Sequence, residues 1–357
     1  MEKNKPNIFL GLINYGTQAG MLSEALRELG QTAFSVGKKD PYKRKIDFNL
    51  YSGGSFIEKI IKHGINVMLK LYWFFKFDHF HFFYGQTLFK NQRDLKWYRF
   101  FGKSVTMEYL GWDVQLYKYS IDKYKITNAA YYKSDSQEVQ IKQDKLKIER
   151  LLNETTHIAK QYVCAPYLSE FVVNSSVLPL GINVDEYIYK TRNFEKGKLN
   201  LLHAPTSRGN KGSEFVLTAV KKLKEEGYNI NLQLVERVSH AELKDLYYEC
   251  DVFVGQILVG WYGTADIEAM ALGTPTVCFY RESYFNHIDY GEKIPLINAN
   301  PETIYDVLLD IYNNKYNLEE IGAKSRAFVE EVHDANKVVK ILLNDIKKIR
   351  NKALINS

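Results

Sequence analysis

A chain of 357 residues is longer than one ordinary domain and suits two. Its 45% apolar and 25% charged residues are a globular balance, enough for two cores. No run reaches the roughly 20 continuous apolar residues needed to cross a bilayer. The net charge of +6 is uneven, about +8 over residues 1–195 and about −2 over the rest. Such a basic half suits nucleic acid, an anionic membrane or an anionic substrate, or is simply a solvated surface. Cys164, Cys250 and Cys278 are widely spaced and make neither a disulfide framework nor a zinc site. They are expected as buried thiols. The N-terminus enters a strand-like run with no signal peptide, so a cytoplasmic protein is expected, or one at the inner face of the cell membrane.

In chain order, an apolar run at 8–13 comes first. A loop with Gly16 and Gly20 follows, then a helical pattern through Leu22, Leu26 and Leu29, then a strand-like run at 32–36. This is a βαβ opening. Residues 37–54 read as loop, and 55–76 as a helix that becomes apolar all round near its end. HFHFFYG (79–85) and KSVTMEYL (103–110) read as buried strands. Residues 118–160 are lysine-rich and mostly helical in pattern, and strand-like pieces return at 162–165 and 177–180. The polar, aperiodic stretch 189–198 is the expected interdomain linker. The second half alternates strands at 199–205, 230–235, 251–256 and 274–280 with helices at 212–226, 239–249 and 263–272. Three helical segments close the chain, near 301–313, 317–332 and 334–351. Alternation of this kind predicts a parallel, doubly wound sheet. The expected division is a first domain over 1–190, a second over 191–335, and a closing helix over 336–357 that crosses back to the first.

Two constellations sit at strand-to-helix turns of the second half. HAPTSRGNKGSEF (203–215) puts Arg208 and Lys211 just beyond a strand, where open α/β sheets bind ligands. A planar guanidinium and a mobile ammonium together suit a diphosphate. Spacing alone favours a surface turn with two solvated cations. GWYGTADIEAMALGTP (260–275) supplies turn glycines, then Glu268 on a small-residue helix. Backbone N–H groups near Gly263 and Thr264 would face a ligand over the turn. Glu268 suits a ribose diol, or an ordinary ion pair.

Together, and in this order, these motifs resemble the donor domain of glycosyltransferase family 4 and its GT-B relatives. EAMALGTP (268–275) matches that family's EAMA-x-G-x-P context. HAPTSRGNKG resembles the HAPS-type turns of a bacterial subgroup, and LPLGINVDEY (178–187) resembles the segment before the family's linker. The likeness covers the second half well and the first half loosely. It implies an α/β protein of GT-B architecture, with two Rossmann-like domains whose parallel sheets face a central cleft. It implies a hexosyltransferase-type enzyme moving a sugar from a nucleotide diphosphate sugar, UDP-sugars favoured, to a glycan or lipid-linked acceptor. Retention of configuration, and a role in bacterial surface polysaccharide or glycoconjugate synthesis, follow from the same resemblance.

Carried over residue by residue, Arg208 and Lys211 neutralise the leaving diphosphate, Glu268 holds the ribose, and Gly263 and Thr264 line the turn. Trp261 and Tyr262 contact the sugar or simply pack. In the first half, NYGTQAG (14–20) makes Gly16 and Thr17 candidates for the phosphates and acceptor. EYLGWDV (108–114) offers Glu108 and Asp113 for the acceptor or the sugar, with Asp113 the catalytic candidate. The chain departs from the family at three points. Thr206 stands at the family's usual Arg, Gly260 at its first Glu, and Leu110 or Trp112 near its His.

The sequence has no Asp-x-Asp metal motif, GxxxxGK[ST] loop or HExxH helix. A metal-independent enzyme is expected, with no cofactor beyond the nucleotide-sugar donor. His79 and His81 alternate in a strand and read as core or cleft residues. Alternatives are a non-catalytic nucleotide-sugar-binding subunit, motivated by Gly260, and a GT-B nucleotide-sugar epimerase. Nucleic acid is not an expected partner, because the basic residues lack interleaved stacking aromatics. Lys59, Lys62, Lys70 and Lys76, set among Ile, Leu, Trp and Phe, suit peripheral contact with an anionic membrane. A buried domain helix with surface lysines reads the same way.

Overall fold

A computed structural model describes residues 5–38, 45–131 and 136–355. The chain divides into two compact units. The first comprises Met1–Leu116, Gln143–Asn183 and Ala335–Ser357; the second comprises Tyr117–Lys142 and Val184–Asp334.

The first unit begins β1 (Asn7–Leu12), α1 (Gln18–Glu28), β2 (Thr32–Gly37), β3 (Phe48–Asn49), α2 (Phe56–Lys76), β4 (His79–Phe83), α3 (Leu95–Phe100) and β5 (Ser104–Tyr109). The chain continues through α4 (Tyr117–Lys123) and α5 (Gln137–His157), inside which the unit boundary falls, to β6 (Lys160–Val163) and β7 (Ser176–Val177). The strands form one parallel sheet in the order β3-β2-β1-β4-β5-β6-β7. Every residue of β4 is buried, as expected of a strand covered on both faces. Phe9 of β1 packs against Trp73, Phe77 and Phe80, so the apolar end of α2 seals one face of the sheet.

A polar seam crosses this core. His79 bonds Ser104 (2.7 Å) and Thr106 (3.0 Å), and His81 bonds Thr106 (2.9 Å) and Glu108 (3.3 Å). Burial holds His79 well below the ordinary imidazole range. Both histidines are therefore core residues paired along neighbouring strands.

The second unit continues β8 (Leu199–His203), α6 (Arg208–Lys211), α7 (Ser213–Glu225), β9 (Ile230–Leu234), α8 (His240–Glu249), β10 (Val252–Val254) and α9 (Thr264–Ala271). It ends β11 (Thr276–Cys278), β12 (Ile297–Asn298), α10 (Ile304–Tyr312) and α11 (Leu318–Phe328). Its five strands are parallel, in the order β12-β11-β10-β8-β9. Val216, Val220 and Leu223 of α7 and Leu308 and Ile311 of α10 pack in its core. The closing α12 (Ala335–Ile355) groups with the first unit, where Tyr162 donates to Asp345 at 3.0 Å.

The stretch 189–198 is docked on the second unit, and the chain enters that unit at Val184. Arg192 donates to the carbonyls of Tyr247 (2.6 Å) and Cys250 (2.6 Å) at the end of α8, and to the Thr274 hydroxyl (2.7 Å). Phe194 packs on the core. Its polar composition reflects a guanidinium satisfying orphan helix carbonyls rather than a free linker. Residues 37–54, read as loop, include the short β3, and Asp47 there accepts from the Ser35 N–H (2.8 Å). Residues 39–44 of that stretch lie outside the described residues. Cys250 and Cys278 are buried and Cys164 is partly exposed.

Candidate functional site

In the second sheet the strand order reverses between β8 and β10. A doubly wound sheet leaves a crevice beyond the carboxyl ends of the strands at such a reversal. The residues converging there are His203, Lys211, Gln256, Ala265 and Asp266, around a cavity of about 20 Å³. Arg208 and Lys211 lie on the single helical turn α6, and Gly212 then takes φ +79° to open α7. The expected helix start at 212 is thus two helices joined by a left-handed residue.

Lys211 is half-buried and donates to Gln256 Oε1. Burial lowers its pKa, and nearby Asp266 opposes the shift. Burial pushes the Asp266 carboxyl up to about 6 against the pull of Lys211 and the Gly263 N–H. Asp266 Oδ2 accepts from that N–H at 2.7 Å, which caps α9. A Cβ on Gly255 would lie 1.6 Å from Asp266 Oδ1, so this strand end tolerates no side chain. Gln256 also donates to the Trp261 carbonyl, tying the 260–263 turn to β10. A cation, a carboxyl and an amide are therefore brought together at this strand end.

Arg208 is exposed and forked onto Glu236, at 2.8 and 3.2 Å. This pair lies in water and holds the guanidinium weakly, so an anion can compete for it. Glu268, on α9, is buried and accepts from His240 Nε2 at 3.0 Å. The Tyr187 hydroxyl lies 3.2 Å from the same nitrogen. Gly263 and Thr264 begin α9, whose first N–H groups point over the turn.

Trp261 and Tyr262 are buried, stacked at 5.0 Å, and the Tyr262 hydroxyl meets His333 Nε2 at 3.1 Å. Neither ring presents a face to solvent. Residue 260, where the resemblance expects a carboxylate, lies beside a cation. A Cβ there would be 1.6 Å from Arg281 Nη1. That guanidinium donates to the carbonyls of Val259 (2.9 Å) and Ile126 (2.8 Å).

The remaining candidates belong to the first unit. Gly16 and Thr17 form a tight turn before α1, both with positive φ. Gln18 anchors the turn by bonding both backbone groups of Gly181 at 2.9 Å. Asp113 is buried and accepts from the N–H groups of Gly111 (2.8 Å) and Leu110 (3.1 Å). Burial raises its pKa to about 6 against the pull of Arg150. Its carboxylate closes the loop after β5 through these two bonds. Glu108 is likewise buried, against His81.

Sequence reasoning missed His203, Gln256, Asp266 and Arg281. Asp266 carried a signal, since a carboxylate three residues after a helix-starting turn is a capping pattern. His203 Nδ1 lies 2.6 Å from the Val254 carbonyl, which can only accept, so Nε2 accepts from Ser213 Oγ at 2.8 Å. Burial holds this imidazole neutral, its pKa lowered to about 4. The unfolded chain takes up that proton near pH 6.5. The contribution is complete above that pH and is lost as pH falls towards 4, roughly 3 kcal/mol by linkage. Urea unfolding should therefore show a smaller loss of stability from about pH 7 to 4.5 in His203→Gln than in the native protein. Equal losses would contradict this assignment.

No protein-family profile matches the chain. No curated protein matches it in sequence. Solved structures do. Sucrose-phosphate synthase from Thermosynechococcus elongatus superposes with a TM-score of 0.65 at 15% identity, covering 99% of this chain and 100% of that one. WaaG, a glycosyltransferase involved in lipopolysaccharide biosynthesis, gives 0.55 at 11% identity over 94% and 98%. A candidate UDP-N-acetylglucosamine 2-epimerase from Listeria monocytogenes gives 0.54 at 13% identity over 98% and 98%. At these identities the likeness is one of fold: the chain has the two-unit α/β architecture of the GT-B glycosyltransferases.

Proposed function

We propose that this protein is a glycosyltransferase that takes its sugar from a nucleoside diphosphate sugar, with UDP the favoured nucleotide. The observation that carries this reading is the placement of Arg208, Lys211 and the start of α9 at the strand-order reversal of the second sheet. A diphosphate there meets one mobile guanidinium, one desolvated ammonium and backbone N–H groups. As the glycosidic bond breaks, negative charge grows on the leaving phosphate, and fixed positive groups in a low-dielectric site stabilise it. In this reading the charge is met by these groups without a metal ion. Glu268, held by His240, suits the ribose diol. A glycan or lipid-linked acceptor and retention of configuration complete the proposal.

The fold shared with the Listeria protein favours one second reading, a nucleotide-sugar epimerase. Incubation with UDP-sugars alone separates the two, since an epimerase converts its donor without an acceptor.

The direct test is thermal unfolding with nucleoside diphosphates and their sugars, in the presence of a chelator. A ligand at 100 times its Kd stabilises by about 2.7 kcal/mol, a readable shift in Tm. UDP is expected to raise Tm. No shift with any nucleoside diphosphate, in folded protein, overturns the proposal.

A further inference from the structure

Helix α2 turns its apolar stripe outward. It buries Trp73 and Phe74 near its end. Ile57, Ile61, Ile65, Met68, Tyr72 and Phe75 are exposed, Ile57 and Met68 each 69%. Their spacing places all six within an arc of about 80° on the helix surface. Lys76 borders that arc, Lys62 lies further round, and Lys59 and Lys70 lie on the opposite side. The polar side faces the chain: Lys62 donates to the Gly53 carbonyl at 3.0 Å, and Asn66 bonds both backbone groups of Tyr51. The stripe continues onto the end of α3, where Phe101 meets Phe75 edge-on at 5.7 Å and Phe100 is 74% exposed.

Charge on this face is one-sided. Residues 55–77 hold four lysines and one acid, Glu58. That acid is committed to the Ser55 N-cap through the Ser55 N–H at 2.6 Å. Residues 95–103 add Lys96, Arg99 and Lys103 and no acid.

We propose that this face of the first unit binds the surface of an anionic lipid bilayer. A contiguous apolar stripe of this kind is unusual on a protein that meets only water. A helix of 21 residues is about 31 Å long and can lie in the interface plane. The apolar stripe enters the acyl boundary, and Lys76 at its border, with the exposed Lys96 and Arg99 of α3, stays level with lipid phosphates. No helix among the described residues is long and apolar enough to cross a membrane, so the contact is with the surface. A second copy of this chain is the poorer occupant, because it would set lysines against lysines. The inference is independent of what the second unit binds.

The test is co-sedimentation of the full chain with phosphatidylcholine vesicles, with and without phosphatidylglycerol. Binding is expected to the anionic vesicles and to fall steeply in high salt. The triple variant Lys76→Gln, Lys96→Gln, Arg99→Gln should lose about a hundredfold in partitioning, at roughly fivefold per cation. The triple variant Ile57→Ser, Met68→Ser, Phe75→Ser should lose at least as much. All six side chains are exposed, so both variants should keep native far-UV dichroism and melting. Folded protein that ignores anionic vesicles overturns the proposal, as does binding that survives both triples. A lipid-free dimer that the serine triple converts to monomer also overturns it, and assigns the face to a second copy.

Discussion

Lys211→Met should weaken UDP binding about a hundredfold and also destabilise the second unit. The ammonium supplies charge-assisted hydrogen bonds worth about 1.5–3 kcal/mol each, which sets the expected loss of affinity. The destabilisation has a separate cause. Asp266 is buried beside Lys211, and that cation is the first influence opposing the rise of its pKa. Removing the cation leaves an uncompensated carboxylate, but with a pKa already about 6 its protonation caps the cost at about 1–2 kcal/mol near neutral pH. Asp266 takes up a proton instead, so the variant should recover part of its stability as pH falls below the neutral range. Arg208→Gln is the control. Its guanidinium is exposed and pairs with an exposed Glu236, so affinity should fall with little change in unfolding. Calorimetric titration with UDP and urea unfolding read the two effects apart. Native affinity in both variants would remove the diphosphate from this turn.

Gly260→Ala should cost about 3 kcal/mol or more of stability. The residue sits at φ +87°, a conformation that costs a residue with a Cβ about 1–2 kcal/mol. The added methyl also displaces the Arg281 guanidinium from two carbonyls, each hydrogen bond worth about 1.5–3 kcal/mol. Gly197→Ala isolates the backbone contribution, because Gly197 has φ +77° and open space around it. Urea midpoints at an unchanged m-value give both numbers. A loss at position 260 no larger than that of Gly197→Ala would show that Arg281 moves freely. The same geometry explains why restoring a carboxylate at 260 is no simple reversion: the neighbouring space holds a cation that two backbone carbonyls already fix.

Much of the second unit was legible in the sequence. Its strands and helices alternate with separate apolar runs, and β8, α7, β9, α8, β10, α9 and β11 fall where periodicity puts them, within a few residues. Arg208, Lys211 and Glu268 were visible because they lie next to turn signals. What escaped notice depends on contacts between distant segments. Arg192 looks like part of a polar linker until its carbonyl partners on α8 are seen. Asp113 looks like a free carboxylate, and only the structure shows the two N–H groups of its own loop that it accepts from. Trp261 and Tyr262 read as sugar contacts or as packing, and the sequence does not show that His333, 71 residues later, meets the tyrosine hydroxyl. The exposed stripe of α2 is the reverse case. Its periodicity announced a helix, but no pattern in the sequence says which face of an amphipathic helix turns outward.

The central claim is that the turn after β8 and the start of α9 hold a nucleoside diphosphate. A crystal structure of the protein with UDP tests it most directly. The account predicts the diphosphate within hydrogen-bonding distance of Arg208 and Lys211, with Arg208 drawn from Glu236 and the ribose hydroxyls on Glu268. UDP bound elsewhere, with the Arg208–Glu236 pair intact, would contradict it.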